Sequence, residues 1–550
     1  MSRSRPLPAP WAVLLALLLV GLGASPVQAD ERGATEGGVV APDIATLATS
    51  WWAEDDADAR GLAALRLVTG GATADAVADA LATGRTWPTD VPVGTVHTWK
   101  RPGPGGHEHT CFLLVPRTYD PARPMRLLVW LHGGVARDED GGGASGLRLW
   151  GEQAAAEGFL LLCPSGRTGA EWWTPGGVGV VRGAVADVRR HYHVDADRIA
   201  CAGFSDGASG CYHLLLHHPE PFCCFLALMG QPLVSRLLGG PSAAANVASR
   251  PLWAVHGGRD QLYPTERMRP LVDELRAAGA DLTWKDLPET GHDFTALNGQ
   301  WEEMRAFWDA HPRTRRDAVR WQSSVPWLDG RCDWVEILET AADASGTGTL
   351  ATDVLPIPAP TPRPRLGVRL DTAFEGPGVR FEDVEADSPA AAAGMRTGDV
   401  LVEVEGEALR TAQDLGRLRE ALDRLTEEER DGTFVLERDG ERVEVRARPR
   451  VMEADRVPPS PQGPGVGEPA GLVVARLAAA NRIEVTTRGV KRLRLHLGPE
   501  QVDLASPLTV VVDGTVRFEG RLDGNVAYVL SEAWRDGGLA RYRAPLVIVP

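Results

Sequence analysis

The sequence predicts an α/β fold in which a mostly parallel β-sheet is covered by helices on both faces. The first observation is that short, continuous apolar runs recur between residues 91 and 312. Strands that are apolar at successive positions are typical of parallel sheets buried on both faces. The second observation is that helix-like stretches separate most of these runs, as layered α/β domains require.

The individual elements follow from that alternation. Six strands are predicted, at 110–115, 126–131, 159–163, 198–202, 251–255 and 282–286. Five helices are predicted between or after them, at 147–157, 178–192, 208–217, 266–278 and 300–311. An Ala- and Leu-rich stretch at 41–83 predicts a helical segment before the first strand.

The first 29 residues predict an export signal. Arg3 and Arg5 precede an apolar segment at 11–24, and the tripeptide Val-Gln-Ala at 27–29 is an acceptable cleavage site before Asp30. The segment is shorter than the ~20 residues of a membrane-spanning helix, and an uncleaved anchor is the alternative. No other segment predicts a membrane span. We therefore expect an exported protein, periplasmic or extracellular.

Composition excludes some function classes. The 550 residues are too many for one hydrophobic core, and the net charge of −16 disfavours nucleic acid as a partner. Seven cysteines, an odd number, leave at least one thiol unpaired within the chain. There is no C-x-x-C spacing, so we predict no metal site and no cofactor.

The pentapeptide at 203–207, Gly-Phe-Ser-Asp-Gly, lies between a predicted strand and a predicted helix. In that context Ser205 is predicted to occupy a nucleophile elbow, whose flanking glycines permit the sharp turn. Asp260 follows the fifth strand and His292 follows the sixth. The order Ser205, Asp260, His292 and the shared sheet edge predict a catalytic triad.

The oxyanion hole of such a site needs two backbone donors. The N–H of Asp206 is predicted as one, and the loop carrying Gly133 and Gly134 is predicted to supply the other. His256 follows the same strand as Asp260 and is interpreted as structural. Two tryptophans at 172–173 have two interpretations, a wall of the substrate pocket or packing onto the core.

These motifs together resemble exported esterases of the polyhydroxybutyrate depolymerase and feruloyl esterase type, and also the phospholipase/carboxylesterase group. The resemblance covers about residues 93–311 and implies an α/β-hydrolase fold and cleavage of carboxylic esters. Asp206 departs from it, because many relatives carry a larger apolar residue there. Prolyl-oligopeptidase-like serine peptidases share the same elements, so a peptidase is the first alternative.

A second resemblance lies at 388–401, which is similar to the PDZ domains of bacterial periplasmic proteases. Leu366, Gly367 and Val368 match their carboxylate-binding loop, and leucines in 414–425 predict the helix beside the groove. The resemblance implies that a peptide or protein C-terminus binds as an added strand. A PDZ fold that serves only as a spacer is the alternative.

Short strands predicted on both sides of this stretch suggest one β domain that it splits. Runs at 331–338, 483–486, 493–497, 508–512 and 516–518 are the predicted strands. The predicted organisation is a signal peptide (1–29), a helical segment (30–90), an α/β-hydrolase catalytic domain (91–312), the start of a split β domain (313–350), a Pro-rich linker (351–365), a PDZ domain (366–450), a second linker (451–470) and a C-terminal β domain (471–550).

The predicted function is therefore hydrolysis of a small-molecule or polymeric ester by an exported serine hydrolase that docks through its PDZ module. Two alternatives stay open. One is a serine peptidase acting through the same site. The other is a peptide-binding adaptor whose hydrolase domain is vestigial.

Overall fold

A computed structural model describes residues 43–54, 56–135, 140–232, 243–341, 363–371, 374, 376–410, 415–452 and 470–550. The predicted signal peptide and most of both predicted Pro-rich linkers lie outside these ranges.

Three helices precede the first strand: α1 (Ile44–Ala53), α2 (Ala57–Thr69) and α3 (Ala74–Thr83). Each begins where a side chain caps the first turn. Asp56 accepts from the N–H groups of Asp58 and Ala59, and Thr73 accepts from that of Ala76. Such caps satisfy backbone donors that the helix itself leaves free.

The central sheet has eight strands in the order β1-β2-β4-β3-β5-β6-β7-β8. They are β1 (Thr95–Pro102), β2 (Glu108–Val115), β3 (Met125–Leu131), β4 (Leu160–Pro164), β5 (Val194–Phe204), β6 (Cys224–Leu228), β7 (Leu252–Gly257) and β8 (Leu282–Leu287). β2 pairs antiparallel with β1 and β4, and all pairs from β4 to β8 are parallel. The carboxyl ends of β3 and β5 to β8 therefore share one edge.

Helices cover both faces of this sheet, as predicted. They are α4 (Ala144–Glu157), α5 (Pro175–His191), α6 (Asp206–His217), α7 (Thr265–Ala277) and α8 (Trp301–Ala310). Alternate residues of β3 point to two separate cores: Leu127 and Val129 pack with α5, α6 and α7, whereas Leu128 packs with α4 and α8. This two-sided burial is why the strands are continuously apolar.

The predicted strand at 331–338 is two strands. After β9 (Ala318–Ser323) and the short helix α9 (Pro326–Asp329) come β10 (Arg331–Cys332) and β11 (Val335–Thr340). Asp333, with φ 50°, reverses the chain between β10 and β11, which pair as a hairpin. The apolar run alone does not reveal this turn.

A small mixed domain follows. Its elements are β12 (Arg363–Arg365), β13 (Val368–Leu370), β14 (Val379–Val384), α10 (Pro389–Ala392), β15 (Val400–Val404), β16 (Glu407–Ala408), α11 (Leu415–Glu427), β17 (Gly432–Arg438), β18 (Glu441–Ala447) and β19 (Arg450–Met452). The main sheet has the order β13-β14-β15-β17-β18, and β12 pairs with β19. Leu418 and Leu422 of α11 pack on Phe381 and Phe434 of the sheet.

The last part of the chain returns to the strands before this domain. Its elements are β20 (Gly471–Ala478), β21 (Arg482–Arg488), β22 (Val490–Leu497), β23 (Leu508–Val512), β24 (Thr515–Gly520), α12 (Val526–Arg535) and β25 (Ala544–Ile548). β9 pairs with β20 and β11 pairs with β22, which gives two sheets around one apolar core. Trp534 of α12 packs against Trp51 and Trp52 of α1, so the two ends of the described chain are in contact.

Buried ion pairs join the domain of the eight-stranded sheet to these β-sheets. Arg313 contacts Glu220 at 3.3 Å and Asp333 at 3.1 Å, and Arg250 bonds the same Asp333. These arginines hold the pKa of the Asp333 carboxyl well below its usual range. Each buried charge thus has a partner, which the low-dielectric interior requires.

All seven cysteines are buried free thiols: Cys111, Cys163, Cys201, Cys211, Cys223, Cys224 and Cys332. Burial raises the pKa of the Cys201 thiol, which lies on β5 next to Cys211 of α6 with 3.7 Å between their sulfurs. The sequence left disulfide pairing open. The structure shows small apolar side chains that pack in the core.

Candidate active site

Ser205 stands between β5 and α6 in a strained backbone conformation. Its φ of 56° and ψ of −119° lie where non-glycine residues are uncommon, and such strain clusters at functional sites. A Cβ on Gly207 would lie 1.8 Å from the Leu131 carbonyl oxygen, and one on Gly203 would lie 2.3 Å from the Gly207 carbonyl carbon. The turn therefore requires both glycines of the motif.

Asp260 and His292 follow β7 and β8, and their side chains are hydrogen-bonded. The distance from His292 Nδ1 to Asp260 Oδ2 is 2.8 Å. The other carboxylate oxygen accepts from the N–H groups of Leu262 and Tyr263, both at 2.8 Å. A carboxylate with three donors is held in one orientation, and it fixes the orientation of the imidazole in turn.

The second nitrogen of His292 is available. Because the carboxylate accepts, Nδ1 carries the hydrogen and Nε2 of the neutral ring carries the lone pair. Nε2 is buried and has no hydrogen-bond partner among the described residues. The rings of Phe204 and Tyr263 flank the imidazole at 4.8 Å and 5.6 Å between centroids. An oriented imidazole with a free lone pair can accept a proton.

Tyr263 connects His292 to Ser205, and sequence reasoning missed it. Its phenol lies near the hydroxyls of Ser205 and Ser209. Burial raises the pKa of Tyr263, so the phenol stays neutral. Its position three residues after Asp260, in the same loop, is the sequence feature that could have indicated a site residue.

The predicted oxyanion loop abuts the elbow. A Cβ on Gly133 would lie 3.0 Å from Ser205 Cβ, and Gly134 has φ 67°. His132 holds the loop from outside, because its Nε2 accepts the Gly166 N–H at 2.9 Å and its Nδ1 bonds the Gly133 carbonyl at 2.8 Å. The Asp206 carboxylate accepts the Val135 N–H at 3.1 Å. That the backbone N–H groups of Asp206, Gly133 and Gly134 bind an oxyanion stays a prediction.

The tryptophans and His256 belong to the surrounding packing. Trp172 is fully buried and donates to the His132 carbonyl at 2.9 Å, so the packing interpretation describes it. His256 is buried and stacks on Trp284 at 5.0 Å, and burial lowers the pKa of its imidazole to about 4. A neutral, buried histidine of this kind is consistent with the structural interpretation.

The predicted peptide groove of the small domain lies at a sheet edge. In the described sheet β13 pairs only with β14, so its other side is open to an added strand. Gly367 has φ 78°, and a Cβ there would lie 2.2 Å from Ser388 Cβ. Leu366 is buried, and its carbonyl accepts the Ala390 N–H at 2.9 Å. The loop at 366–368 is thus fixed next to the open edge.

Residues 380–426 match the family model of the PDZ domain. The chain contains a PDZ domain. Together with the eight-stranded sheet and its two helical layers, this confirms the predicted fold class of an α/β-hydrolase domain, a PDZ domain and C-terminal β-sheets.

Two curated relatives match part of the chain. The "Bifunctional acetylxylan esterase/xylanase XynS20E" of Neocallimastix patriciarum is 25% identical over 185 residues, 33% of this chain and 26% of the relative. The "Probable glutamyl endopeptidase, chloroplastic" of Oryza sativa subsp. japonica is 26% identical over 250 residues, 36% of this chain and 26% of the relative. The chain therefore matches only 26% of the length of each.

Solved structures similar to part of the chain include an esterase and a peptidase. A thermostable esterase has a TM-score of 0.34 at 20% identity, covering 40% of this chain and 63% of its own. Dipeptidyl peptidase 4 of Porphyromonas gingivalis has a TM-score of 0.31 at 16% identity, covering 40% of this chain and 36% of its own.

Two further findings concern membranes and metals. None of the helices in the described ranges is long and apolar enough to cross a membrane. Within the part of the chain that the structure describes, no group of three or more His, Cys, Asp or Glu side chains could hold a metal ion.

Proposed function

We propose that the hydrolase domain cleaves carboxylic esters, with Ser205 as nucleophile, His292 as base and Asp260 as the acid that orients it. The observation that carries the proposal is the arrangement around His292. Asp260 fixes one ring nitrogen at 2.8 Å, while the other is buried without a partner among the described residues, and Tyr263 packs against His292 and lies near the strained Ser205. Nucleophile, base and orienting acid are what acyl transfer requires.

The chemistry has two halves. Ser205 Oγ bonds the ester carbonyl carbon while its proton passes to His292 Nε2, and the N–H groups of Asp206 and the glycine loop stabilise the oxyanion. The intermediate collapses, and the leaving alkoxide takes the proton from His292. Water then attacks the acyl-enzyme, gives its proton to His292, and releases the acid as Ser205 regains a proton. The sum is ester plus water to acid plus alcohol, and loss of one donor of the hole would raise the barrier by about 3 kcal/mol.

Active-site labelling of the full chain tests this proposal. A fluorophosphonate probe is expected to modify Ser205, located by mass spectrometry of the tryptic peptide, and Ser205→Ala is expected to abolish the label. Ser324→Ala is the matched control, because it removes a buried hydroxyl that has no partner in the described structure. An unlabelled wild-type protein contradicts the proposal and supports the adaptor alternative.

A serine peptidase is the second candidate. The match to a protein named as a glutamyl endopeptidase favours it. A panel of nitrophenyl esters and aminoacyl nitroanilides, assayed with the same enzyme preparation, separates the two. We expect kcat/KM to be higher for the esters after each substrate is corrected for its spontaneous hydrolysis. Turnover confined to the anilides would assign the site to the peptidase.

We further propose that the PDZ domain binds a peptide or protein C-terminus at Leu366, Gly367 and Val368. The support is the open edge of β13 beside a fixed, glycine-containing loop. Binding of a C-terminal peptide library by fluorescence polarisation is the test, with each peptide also made as its C-terminal amide. Equal affinity for acid and amide would contradict carboxylate recognition.

Export to the periplasm or the extracellular space is also a proposal, which rests on the sequence pattern of residues 1–29. Expression of the full chain in a bacterial host, followed by fractionation and N-terminal sequencing, tests it. A mature protein beginning at Asp30 is expected outside the cytoplasm. A protein that stays cytoplasmic with its first residues intact contradicts export.

A further inference from the structure

The side chain of Asp206 joins the two halves of the predicted oxyanion hole. Asp206 directly follows Ser205 and opens α6, and its own backbone N–H is one predicted donor. Its Oδ2 accepts the N–H of Val135 at 3.1 Å. Val135 directly follows Gly133 and Gly134, which carry the other predicted donors. One residue therefore supplies a donor through its backbone and contacts the opposite side of the hole through its carboxylate.

The loop depends on such contacts because its conformation is unusual. Gly134 has φ 67°, and Gly133 lies so close to the elbow that an added Cβ would be 3.0 Å from Ser205 Cβ. At its start the loop is held by His132, whose Nδ1 bonds the Gly133 carbonyl at 2.8 Å. At Val135 it is held by the Asp206 carboxylate. Hydrogen bonds to a charged acceptor are stronger than neutral ones, so the carboxylate is an effective anchor.

The negative charge of Asp206 argues that its role is to accept a hydrogen bond. A carboxylate beside the position of a developing oxyanion opposes that charge and so disfavours the transition state. A neutral acceptor of the same shape would fix the loop without this penalty. If the side chain acts as a hydrogen-bond acceptor, Asp206→Asn is expected to keep most of the activity. If the site required the negative charge itself, Asp206→Asn would lose activity as Asp206→Ala does.

We propose that Asp206 is the positioning residue of the oxyanion hole: by accepting the Val135 N–H, its carboxylate holds Gly133 and Gly134 at the distance from Ser205 that binds the oxyanion. This inference rests on the proposed acyl-transfer function. The inference goes beyond that function because it assigns a role to the side chain of Asp206. At this position the sequence departs from the esterases that it resembles.

Two variants of the full-length protein test the proposal. Asp206→Ala removes the acceptor, and kcat is expected to fall about 10- to 100-fold with little change in KM, since a small misplacement of donors affects the transition state most. Asp206→Asn keeps an acceptor oxygen, and most of that loss is expected to be recovered. Asp206→Leu, which is branched at Cγ like asparagine but has no acceptor, replaces the alanine variant if that variant does not fold.

A second measurement, inhibitor affinity, tests oxyanion binding separately from the other steps of catalysis. A trifluoromethyl ketone inhibitor forms a tetrahedral oxyanion on the serine, and its affinity is expected to fall in Asp206→Ala in parallel with kcat/KM. The affinity for the product carboxylic acid, which forms no oxyanion, is expected to change much less. Glu302→Ala is the matched control, because Glu302 is an exposed acid in the first turn of α8, so its removal repeats the loss of a helix-terminal charge elsewhere.

The outcomes separate this inference from the proposed function. A wild-type protein that the fluorophosphonate does not label at Ser205 defeats the proposed function. A labelled wild type with unchanged kcat in Asp206→Ala defeats only the role of Asp206. Equal losses in Asp206→Asn and Asp206→Ala also overturn it, because an acceptor oxygen at this position would then not preserve the activity.

Discussion

The structure contains two buried aspartate–histidine pairs that are almost identical as pairs. In the candidate site, His292 Nδ1 lies 2.8 Å from Asp260 Oδ2. At the far end of α6, His217 Nδ1 lies 2.7 Å from Asp329 Oδ2. In both pairs Nε2 of the imidazole is buried and has no hydrogen-bond partner among the described residues. The hydrogen bond alone therefore does not distinguish a candidate site from a structural contact.

The surroundings of the two pairs differ. His292 is 15% exposed in its side chain and shares Tyr263 with the strained Ser205. His217 is 5% exposed and stacks on His213 at 4.7 Å between ring centroids, with no elbow beside it. Ser205 directly precedes α6 and His217 is its last residue, so the 12-residue helix separates the backbone of Ser205 from that of His217 by about 18 Å. An activated nucleophile needs a serine near the base, and among the described residues the first pair has the strained Ser205 in its surroundings, next to Phe204, whose ring contacts His292.

Replacing the aspartate by asparagine is expected to reduce activity in the first pair and stability in the second. The largest effect is expected for Asp260→Asn, with a loss in kcat on the order of 10⁴, because the amide favours the wrong tautomer of the histidine. Ester hydrolysis by purified protein checks this, and circular dichroism checks that the fold is retained. A variant with kcat within about 10-fold of wild type, a barrier change of only about 1.4 kcal/mol, would remove Asp260 from the proposed mechanism.

The sequence predicted the first pair and not the second, for a physical reason. Asp260 and His292 each follow a parallel strand, and parallel strands bring their carboxyl ends to one edge. Asp329 lies on a short helix that packs against α6 across a domain contact. No periodicity predicts such a contact between residues 112 positions apart.

The sequence analysis also did not predict two strands of the central sheet and one contact between helices. β1 is a half-exposed edge strand with polar and charged residues, so it lacks the apolar run that revealed its neighbours. β6 is apolar and fully buried, and a short apolar run of this kind does not by itself separate strand from helix. The contact of α12 with α1 joins positions far apart in the chain. By contrast, the elbow glycines and the chain order of Ser205, Asp260 and His292 are local signals, and they could be predicted.

Asp329→Asn is expected to reduce stability instead of activity. Asp329 accepts from His217 with one carboxylate oxygen and from the Ser323 hydroxyl with the other. The amide replaces one acceptor by a donor, so one buried hydrogen bond is lost, at about 1 to 3 kcal/mol of unfolding free energy. Urea unfolding followed by tryptophan fluorescence measures this. A fall in kcat comparable to that of Asp260→Asn would contradict the distinction between the two pairs.

The histidines around the second pair predict acid sensitivity. Burial lowers the pKa of His213 and of His218 well below the ordinary value of about 6.5, so both are neutral when folded but gain protons when unfolded below that pH. The unfolded state then binds more protons, and stability falls as the pH falls below about 6.5, by about 1.4 kcal/mol per pH unit for each histidine. His213→Leu is expected to reduce this slope by about one proton between pH 6 and 5. Urea unfolding at both pH values measures it, with exposed His191→Leu as control, and an unchanged slope would exclude His213 as the cause.

The smallest effect is expected where a charge pair near the site is exposed. Arg259 precedes Asp260 and Glu289 lies three positions before His292, so their ion pair links the two loops of the candidate site. Their side chains are 69% and 78% exposed, and solvent screens such pairs. Glu289→Gln is therefore expected to change the unfolding free energy by less than about 1 kcal/mol, and kcat by no more than about twofold. A tenfold loss of kcat would mean that the charge balance of the loops, and not the orientation of His292 by Asp260, sets the activity.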